Sequence, residues 1–274
     1  MPELPEVEVV KRGLGPLLIG KKVQQIICAN RKLRLPIPRA ALESLVCGQV
    51  VAGVERRAKY LLVNLANGAL LVVHLGMTGR LGLFKQGSPR AKHDHIRFLL
   101  DDGMEMRFND TRRFGSVQVF ATESREREEF FAAMGPEPFS EEFSASYLLD
   151  KARGRKQPVK NFLMDNRVVV GIGNIYASEI LFECRISPLR SALSLKKGDW
   201  QRVVQNSCQV LERAILAGGS TISDYVNASG ESGYFQLSLK VYGRQGLECV
   251  ECGGEVEKAV MAGRAAFFCP KCQT

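Results

Sequence analysis

The stretch CVEC at residues 249–252, with its partner CPKC at residues 269–272, decides the fold of the last part of the chain. Each stretch carries two cysteines with two residues between them, and sixteen residues separate the stretches. In a cytosolic chain this spacing is typical of a closed, structural zinc site with four thiolate ligands. Redox pairs or disulfides are the alternative, but a reducing compartment disfavours them. The sequence therefore predicts one structural Zn²⁺ held by Cys249, Cys252, Cys269 and Cys272.

The charge balance of the chain favours an anionic partner. It has 38 Lys and Arg against 29 Asp and Glu, a formal net charge of +9, and nucleic acid is the simplest partner for such an excess. The start is acidic with no apolar signal-peptide core, and no run approaches the ~18 apolar residues of a membrane span. We therefore expect a cytoplasmic protein without membrane contact, associated with the nucleoid when bound to DNA. Four further cysteines in apolar or helical contexts are predicted to be buried thiols: Cys28, Cys47, Cys184 and Cys208.

The hydrophobic patterning predicts an α+β multidomain protein. Residues 5–19 show helical spacing, and short β-type runs separated by hairpin dipeptides follow, which predicts an N-terminal β-sandwich flanked by helices. The predicted strands are 23–28, 50–54, 60–65, 69–75, 95–100, 104–108 and 116–120, and the predicted later helices are 158–166, 174–184 and 200–216. The predicted divisions are 1–120 for the N-terminal domain, 121–145 for a linker, 146–226 for a helical domain, 227–240 for a flexible polar loop and 241–274 for the zinc module.

The first residues, Met1-Pro2-Glu3-Leu4-Pro5-Glu6, suggest covalent chemistry. Removal of Met1 would leave the ring nitrogen of Pro2 as a free secondary amine. Such an amine attacks an aldehyde carbon to give an iminium, which is already cationic and acts as an electron sink. Glu3 is the adjacent candidate for proton transfer. The alternative is an ordinary helix start with proline in the first turn and acids at the positive end.

Other motifs are suited to phosphate binding. Gly171-Ile172-Gly173-Asn174 predicts a helix N-terminus capped by Asn174 that could bind phosphate, although an unoccupied helix–helix connection is the alternative. Lys92-His93-Asp94-His95 is interpreted as a phosphate contact or plain surface rather than a metal site. Basic residues cluster at Arg56, Arg57 and Lys59, at Arg112 and Arg113, and at Arg153, Arg155, Lys156 and Lys160. With the zinc module, these features favour DNA or RNA.

The motifs together resemble those of the bacterial formamidopyrimidine-DNA glycosylase family, through the whole chain. They are PELPE at 2–6, RAKYLL at 57–62, HLGM at 74–77, KHDH at 92–95, RRFG at 112–115, residues 163–179, YGR at 242–244 and the four terminal cysteines. The resemblance implies a monomeric enzyme that repairs oxidised purines in double-stranded DNA. It implies a β-sandwich domain, a helix–two-turn–helix domain and a zinc-bound β-hairpin, with DNA across the cleft between the halves.

The resemblance also assigns roles to individual residues. Pro2 would attack the anomeric carbon and displace the base, Glu3 would protonate the opening sugar, and Lys59 would assist base release and β-elimination. Arg264, on the zinc hairpin, would clamp the phosphate that leaves in the second elimination. The void left by the flipped base would be filled by Met77, Arg112 and Phe114, and the DNA contacts would be His93, Arg112, Asn174 and either Arg155 or Lys156. Residues 219–234 match the loop that closes over the extruded base.

Three functions stand as hypotheses. The first is a bifunctional glycosylase and lyase for 8-oxoguanine and formamidopyrimidines, which acts through a Schiff base at Pro2 and β,δ-elimination. The second is an enzyme for oxidised pyrimidines of the endonuclease VIII type, which usually carries glycine where this chain has Leu4. The third is a non-catalytic zinc-bearing protein that binds DNA without cutting it and tolerates an N-terminal tag. The sequence favours the first.

Overall fold

The computed structural model describes residues 2–219 and 239–274. These residues form two compact units, one of residues 2–132 with 217–219 and the other of residues 133–216 with 239–274. Most of the predicted polar loop at 227–240, and with it most of the lesion-loop stretch at 219–234, lies outside the described residues. None of the helices in the described part is long and apolar enough to cross a membrane.

The first unit begins with helix α1, Leu4–Leu18, and continues into two antiparallel four-stranded sheets. The strands are β1 Val23–Cys28, β2 Val51–Arg57, β3 Tyr60–Leu65, β4 Leu70–His74, β5 Gly79–Lys85, β6 Asp94–Leu100, β7 Met104–Asp110 and β8 Ser116–Phe120. One sheet has the order β1-β6-β7-β5 and the other has the order β2-β3-β4-β8. The predicted β-sandwich flanked by a helix is confirmed.

One apolar core joins the two sheets to the first two helices of this unit. Helix α1 contributes Val7 and Leu14, and helix α2, Arg39–Leu45, contributes Leu42. A second, smaller cluster covers the other face of the β2-β3-β4-β8 sheet, where Phe130 and Phe131 pack against its apolar side chains. Those two phenylalanines belong to helix α3, Arg125–Ala132, which lies within the stretch predicted to be a linker.

The second unit contains short helices, one long helix and the zinc hairpin. Its helices are α4 Ala145–Ala152, α5 Val159–Leu163, α6 Asn174–Glu183 and α7 Lys197–Leu216, with a 3₁₀ turn at Ala192–Ser194. Its hairpin strands are β9 Glu257–Met261 and β10 Arg264–Phe268. Phe182 of α6 packs into the small core of the zinc module with Val241 and Val256, so helix and hairpin share buried apolar surface. The predicted helical domain with a zinc-bound hairpin is confirmed.

Several elements and three cysteines differ from the sequence-based expectations. Helices α2 and α3 and strand β5 were not predicted, and α5 ends earlier than residue 166. Of the four cysteines predicted to be buried thiols, only Cys184 is fully buried. Burial raises the pKa of the Cys184 thiol to about 12. Cys28, at the end of β1, Cys47, just after α2, and Cys208, in the middle of α7, are only half-buried, so the prediction of buried thiols is wrong for these three.

Candidate functional site

The start of helix α1 places Pro2 directly before a buried carboxylate. Glu3 is the N-cap of the helix and is only 1% exposed, whereas Pro2 is half-buried. The backbone N–H of Glu3 donates to Glu6 Oε2 at 2.8 Å, as part of a capping box. This reciprocal bonding fixes the first turn, so Pro2 leaves the helix in a defined direction with Glu3 beside it.

Lys59 lies in the two-residue turn between β2 and β3, and that turn is tied to helix α1. Arg56 donates from Nε to Glu8 Oε2 at 3.0 Å and from Nη1 to the carbonyl oxygen of Ala58 at 3.0 Å. Ala58 has a left-handed φ of 55°, which closes the turn. Because Glu8 is five residues after Glu3, the anchor lies about 7.5 Å along the helix from the Glu3 end. The turn that contains Lys59 is therefore anchored to α1, the same helix that begins beside Pro2 and Glu3.

His74 lies at the end of β4, opposite Tyr60, and remains neutral at neutral pH. Burial, and then the positive charges of Lys59 and Arg34, lower its pKa from 6.5 to about 4. Its Nδ1 accepts a hydrogen bond from the backbone N–H of Gly76 at 3.0 Å. A neutral imidazole with an unprotonated Nδ1 is the form that this bond requires. His74 thus fixes the start of the turn that carries Met77.

The structure brings together the three residues that were assigned to void filling. Met77 lies in the turn between β4 and β5 and is 37% exposed, and Phe114 lies in the loop between β7 and β8 and is 46% exposed. The guanidinium of Arg112 stacks 4.8 Å from the centre of the Phe114 ring. Gly76 allows the two loops to meet, since a Cβ there would overlap the backbone of Phe114 and Gly115. Three large exposed side chains therefore share one edge of the first unit.

His93 lies just before β6, near the same edge. Its side chain is half-exposed, and its ring centre is 6.4 Å from that of His95. The register of β6 against β7 shifts between Asp94 and Ile96, and such bulges commonly redirect side chains near functional sites. His93 is thus partly accessible, and its role as a phosphate contact stays a prediction.

In the second unit, Asn174 bonds to a residue whose importance the sequence did not reveal. Gly173 is the N-cap of α6, so the prediction that Asn174 caps this helix is wrong. Instead, Asn174 Oδ1 accepts from Lys160 Nζ at 2.6 Å. Lys160 is 1% exposed and also donates to the carbonyl oxygen of Ala265 at 2.5 Å. A lysine is rarely buried without such partners, but no periodicity in the sequence distinguishes it from its neighbours.

Arg155 and Lys156, between which the sequence did not decide, are both exposed. The backbone of Arg155 is fixed, since its N–H donates to Ala152 and its carbonyl accepts from Leu193. No side-chain contact in the described part distinguishes the two residues. The choice between them therefore stays open, and the buried Lys160 is a third basic group in the same stretch.

The four cysteines fit a zinc ion. Their sulfur atoms all lie within 4.8 Å of one another. The Sγ atoms of Cys249 and Cys272 are 3.9 Å apart, and those of Cys252 and Cys269 are 3.5 Å apart. A tetrahedral site with Zn–S bonds of about 2.3 Å requires sulfurs about 3.8 Å apart. The predicted structural zinc site is confirmed, and with four protein ligands it has no open position for chemistry.

The zinc hairpin presents Arg264 at its tip. Ala262 and Gly263 have φ of 47° and 73°, as a two-residue type I′ turn requires, and Arg264 is the exposed residue that follows. The next residue, Ala265, is the one whose carbonyl binds Lys160. The hairpin is thereby anchored to α5 and α6 immediately beside the arginine.

A second anchor joins α6 to the zinc module. The carboxylate of Glu179, 6% exposed, accepts from the backbone N–H groups of Lys240, Val241 and Tyr242 at 2.8, 3.0 and 2.8 Å. Three backbone donors stabilise the buried carboxylate by hydrogen bonding. They also fix the chain where the described residues resume after residue 238.

Three parts of the chain match known family domains. Residues 1–117 match the formamidopyrimidine-DNA glycosylase N-terminal domain, residues 134–226 match the formamidopyrimidine-DNA glycosylase H2TH domain, and residues 246–274 match a zinc finger found in FPG and IleRS. The chain is 45% identical to formamidopyrimidine-DNA glycosylase of Vibrio cholerae over 273 residues and 46% identical to that of Laribacter hongkongensis. Both alignments cover 100% of both chains.

Solved structures of Lactococcus lactis FPG share the fold. A mutant bound to Fapy-dG containing DNA aligns with a TM-score of 0.89 at 32% identity, and the alignment covers 100% of both chains. A complex with DNA that contains an abasic site aligns with a TM-score of 0.89 at 32% identity, covering 99% of both. The chain therefore belongs to the formamidopyrimidine-DNA glycosylase family, and it is a zinc-finger DNA repair glycosylase.

Proposed function

We propose that the protein removes oxidised purines, namely 8-oxoguanine and formamidopyrimidines, from double-stranded DNA and then cuts the strand as an abasic-site lyase. One observation carries this proposal. Pro2 and the buried carboxylate of Glu3 begin helix α1, and Arg56 holds the turn that contains Lys59 against the same helix. A nucleophile, a proton-transfer group and a cation are the three groups that this reaction needs.

The chemistry begins at the nitrogen of Pro2, once Met1 has been removed. The nitrogen lone pair forms a bond to C1′ of the damaged nucleotide, and the bond from C1′ to the base breaks, so that the base leaves with the electron pair and takes a proton. Protonation of the sugar ring oxygen by Glu3 opens the ring and leaves an iminium between Pro2 and C1′. Glu3 suits this task because it lies next to Pro2 and is shielded from water.

The iminium then drives strand scission. It acidifies the C2′ proton, whose removal expels the 3′ phosphate in β-elimination, and a second elimination expels the 5′ phosphate. We assign to Lys59 the support of base release and of the first elimination, and to Arg264 the stabilisation of a leaving phosphate. An arginine at a rigid hairpin tip suits that clamp, because guanidinium binds phosphate oxygens in pairs and stays charged.

The DNA contacts are assigned to exposed and partly exposed side chains of both units. Met77, Arg112 and Phe114 would enter the space vacated by the flipped nucleotide, which keeps the duplex kinked. His93, Asn174 and either Arg155 or Lys156 would bind phosphates. The net charge of +9 supports a polyanionic partner, and the Lactococcus lactis relatives were solved with lesion or abasic-site DNA.

A panel of duplexes tests the proposal. Each duplex carries one 8-oxoguanine, formamidopyrimidine, oxidised pyrimidine or undamaged base, and the products are separated on a denaturing gel. We expect cleavage at both purine lesions, with phosphate at both ends of the gap, and none on undamaged DNA. Binding to the lesion duplexes without scission would contradict the proposal and would favour the non-catalytic alternative.

Oxidised pyrimidines are the second candidate substrate. One observation favours it, since a Lactococcus lactis FPG with a TM-score of 0.88 was solved with oxidised pyrimidine containing DNA. Leu4 argues for the purine branch. Faster single-turnover excision of the pyrimidine lesion than of either purine lesion would replace the first candidate by the second.

A further inference from the structure

Two loops of the first unit carry the exposed side chains that are proposed to enter the DNA. The turn between β4 and β5 carries Met77, and the loop between β7 and β8 carries Arg112 and Phe114. Stacked bases resist insertion, so the inserting side chains must be held at a fixed distance from one another. Contacts beneath the two loops must therefore hold the loops in place.

One buried carboxylate joins the two loops. Asp110, at the end of β7, is 0% exposed. Its Oδ1 accepts from the hydroxyl of Thr78 at 2.6 Å, and its Oδ2 accepts from the backbone N–H of Gly115 at 2.8 Å. Thr78 directly follows Met77 and Gly115 directly follows Phe114, so each oxygen holds the neighbour of one inserting residue.

Thr78 connects the two loops through two hydrogen bonds. Its Oγ1 donates to Asp110 and also accepts from the backbone N–H of Arg112 at 3.0 Å. The hydroxyl thus joins the Met77 turn to the Arg112 end of the other loop, while Asp110 joins it to the Phe114 end. Only a residue that both donates and accepts can occupy this position.

The backbone of Asp110 is itself fixed. Its N–H donates to the carbonyl oxygen of His93 at 3.1 Å, and its own carbonyl oxygen is 2.8 Å from His95 Nε2. Both histidines lie at the bulge where β6 begins. Asp110 therefore has rigid support from β6 as well as from its own strand.

We propose that Asp110 and Thr78 form a positioning pair that holds Met77, Arg112 and Phe114 at the spacing needed to replace a flipped nucleotide. This inference rests on the proposed function and deepens it, because it concerns extrusion of the base and not the covalent chemistry. Neither member of the pair touches DNA in this account. Both act through the inserting residues, and loss of the pair slows extrusion while leaving the chemistry at Pro2 intact.

The test is the Thr78→Val variant, with Thr78→Ser as its matched control. Valine keeps the shape of threonine but removes both hydrogen bonds, whereas serine keeps them. Single-turnover rates are measured on an 8-oxoguanine duplex, where a stacked base must leave, and on an abasic-site duplex, where no base must leave. A fluorescent adenine analogue beside the lesion reports unstacking directly.

We expect Thr78→Val to lose about tenfold or more on the 8-oxoguanine duplex, because small misplacements of positioned groups have effects of that order. The fluorescence rise should slow by the same factor, the abasic-site rate should change less than about twofold, and Thr78→Ser should match the wild type. Asp110→Asn should likewise slow excision of 8-oxoguanine much more than cleavage of the abasic-site duplex. The rate of the double variant on the 8-oxoguanine duplex should be no lower than that of the slower single variant.

Three outcomes overturn the inference and leave the proposed function intact. Equal losses of Thr78→Val on both duplexes would mean a general structural role, and no loss on either would mean that the pair is dispensable. An unchanged fluorescence rise with slower excision would place the defect after extrusion. A wild-type protein that is inactive on both duplexes would instead refute the proposed function, and the inference with it.

Discussion

At the residue scale, the candidate site depends on the absence of side chains as much as on their presence. Gly76 and Gly115 lie where two loops approach each other, backbone against backbone. A Cβ on Gly115 would lie 2.6 Å from Phe108 Cζ and 2.8 Å from the carbonyl oxygen of His74. The sequence shows Gly115 in the RRFG motif, but only the fold shows that a side chain at this position would overlap Phe108 and the backbone of His74.

Gly115→Ala should therefore destabilise the protein. Because the new methyl group meets a buried ring and a strand carbonyl, we expect a loss of about 1–3 kcal/mol in the free energy of unfolding, measured by chemical denaturation. Gly198→Ala is the control, since a Cβ there meets nothing within 4 Å and alanine suits helix α7. Equal stability of the two variants would show that the loops are less closely packed than described.

His74 should make stability depend on pH. Its pKa in the folded protein is about 4, below the ordinary 6.5, so the unfolded chain binds a proton first as the pH falls. The contribution of the neutral ring is fully present above pH 6.5 and is lost between 6.5 and about 4. In His74→Gln, which does not titrate, denaturation midpoints should fall less steeply across that window. Parallel pH profiles for variant and wild type would contradict this assignment.

At the scale of elements, the sequence predicted most strands and helices because their periodicity is strong. It missed β5, whose Gly79 and Gly82 resemble a turn, and α2, which is only seven residues long. It assigned α3 to a linker because that helix is highly charged and buries no residue completely. The first residues themselves indicated Pro2 and Glu3, and the resemblance supplied Lys59 and Arg264. The roles of Lys160, Asp110 and Thr78 arise from contacts distant in sequence and could not be predicted.

Glu179→Gln tests the anchor between α6 and the zinc module. Glutamine loses the negative charge and turns an NH₂ group towards backbone N–H donors, so we expect roughly 2–4 kcal/mol of lost stability. Hydrogen exchange of residues 239–274 should accelerate. Glu183→Gln is the matched control, because its ion pairs to Arg213 and Lys240 lie near the surface and contribute little. Equal exchange in both variants would remove Glu179 from this role.

At the scale of the whole molecule, the first unit and the zinc module of the second unit are stabilised differently. The first unit has a large apolar core between two sheets. The zinc module has only a small cluster around Phe182, Val241 and Val256, so it relies on the metal and on the bonds to Glu179 and Lys160. Small modules of this kind commonly need their metal to fold.

Zinc removal should therefore unfold one part selectively. After chelation we expect rapid proteolysis within residues 239–274, persistent protection of the first unit, and loss of strand scission because Arg264 is no longer held in place. Added Zn²⁺ should restore all three. An unchanged digestion pattern in protein shown by metal analysis to be zinc-free would contradict a structural role for the ion.

Covalent attack by the nitrogen of residue 2 is the claim on which the account depends most. Borohydride reduction during turnover on an 8-oxoguanine duplex converts the iminium to a stable amine, and peptide mapping by mass spectrometry locates the attached sugar. We predict an adduct on Pro2 in chains that have lost Met1, and none in chains that retain an N-terminal extension. Strand scission without any adduct, or an adduct on Lys59 instead of Pro2, would contradict covalent attack by the nitrogen of residue 2.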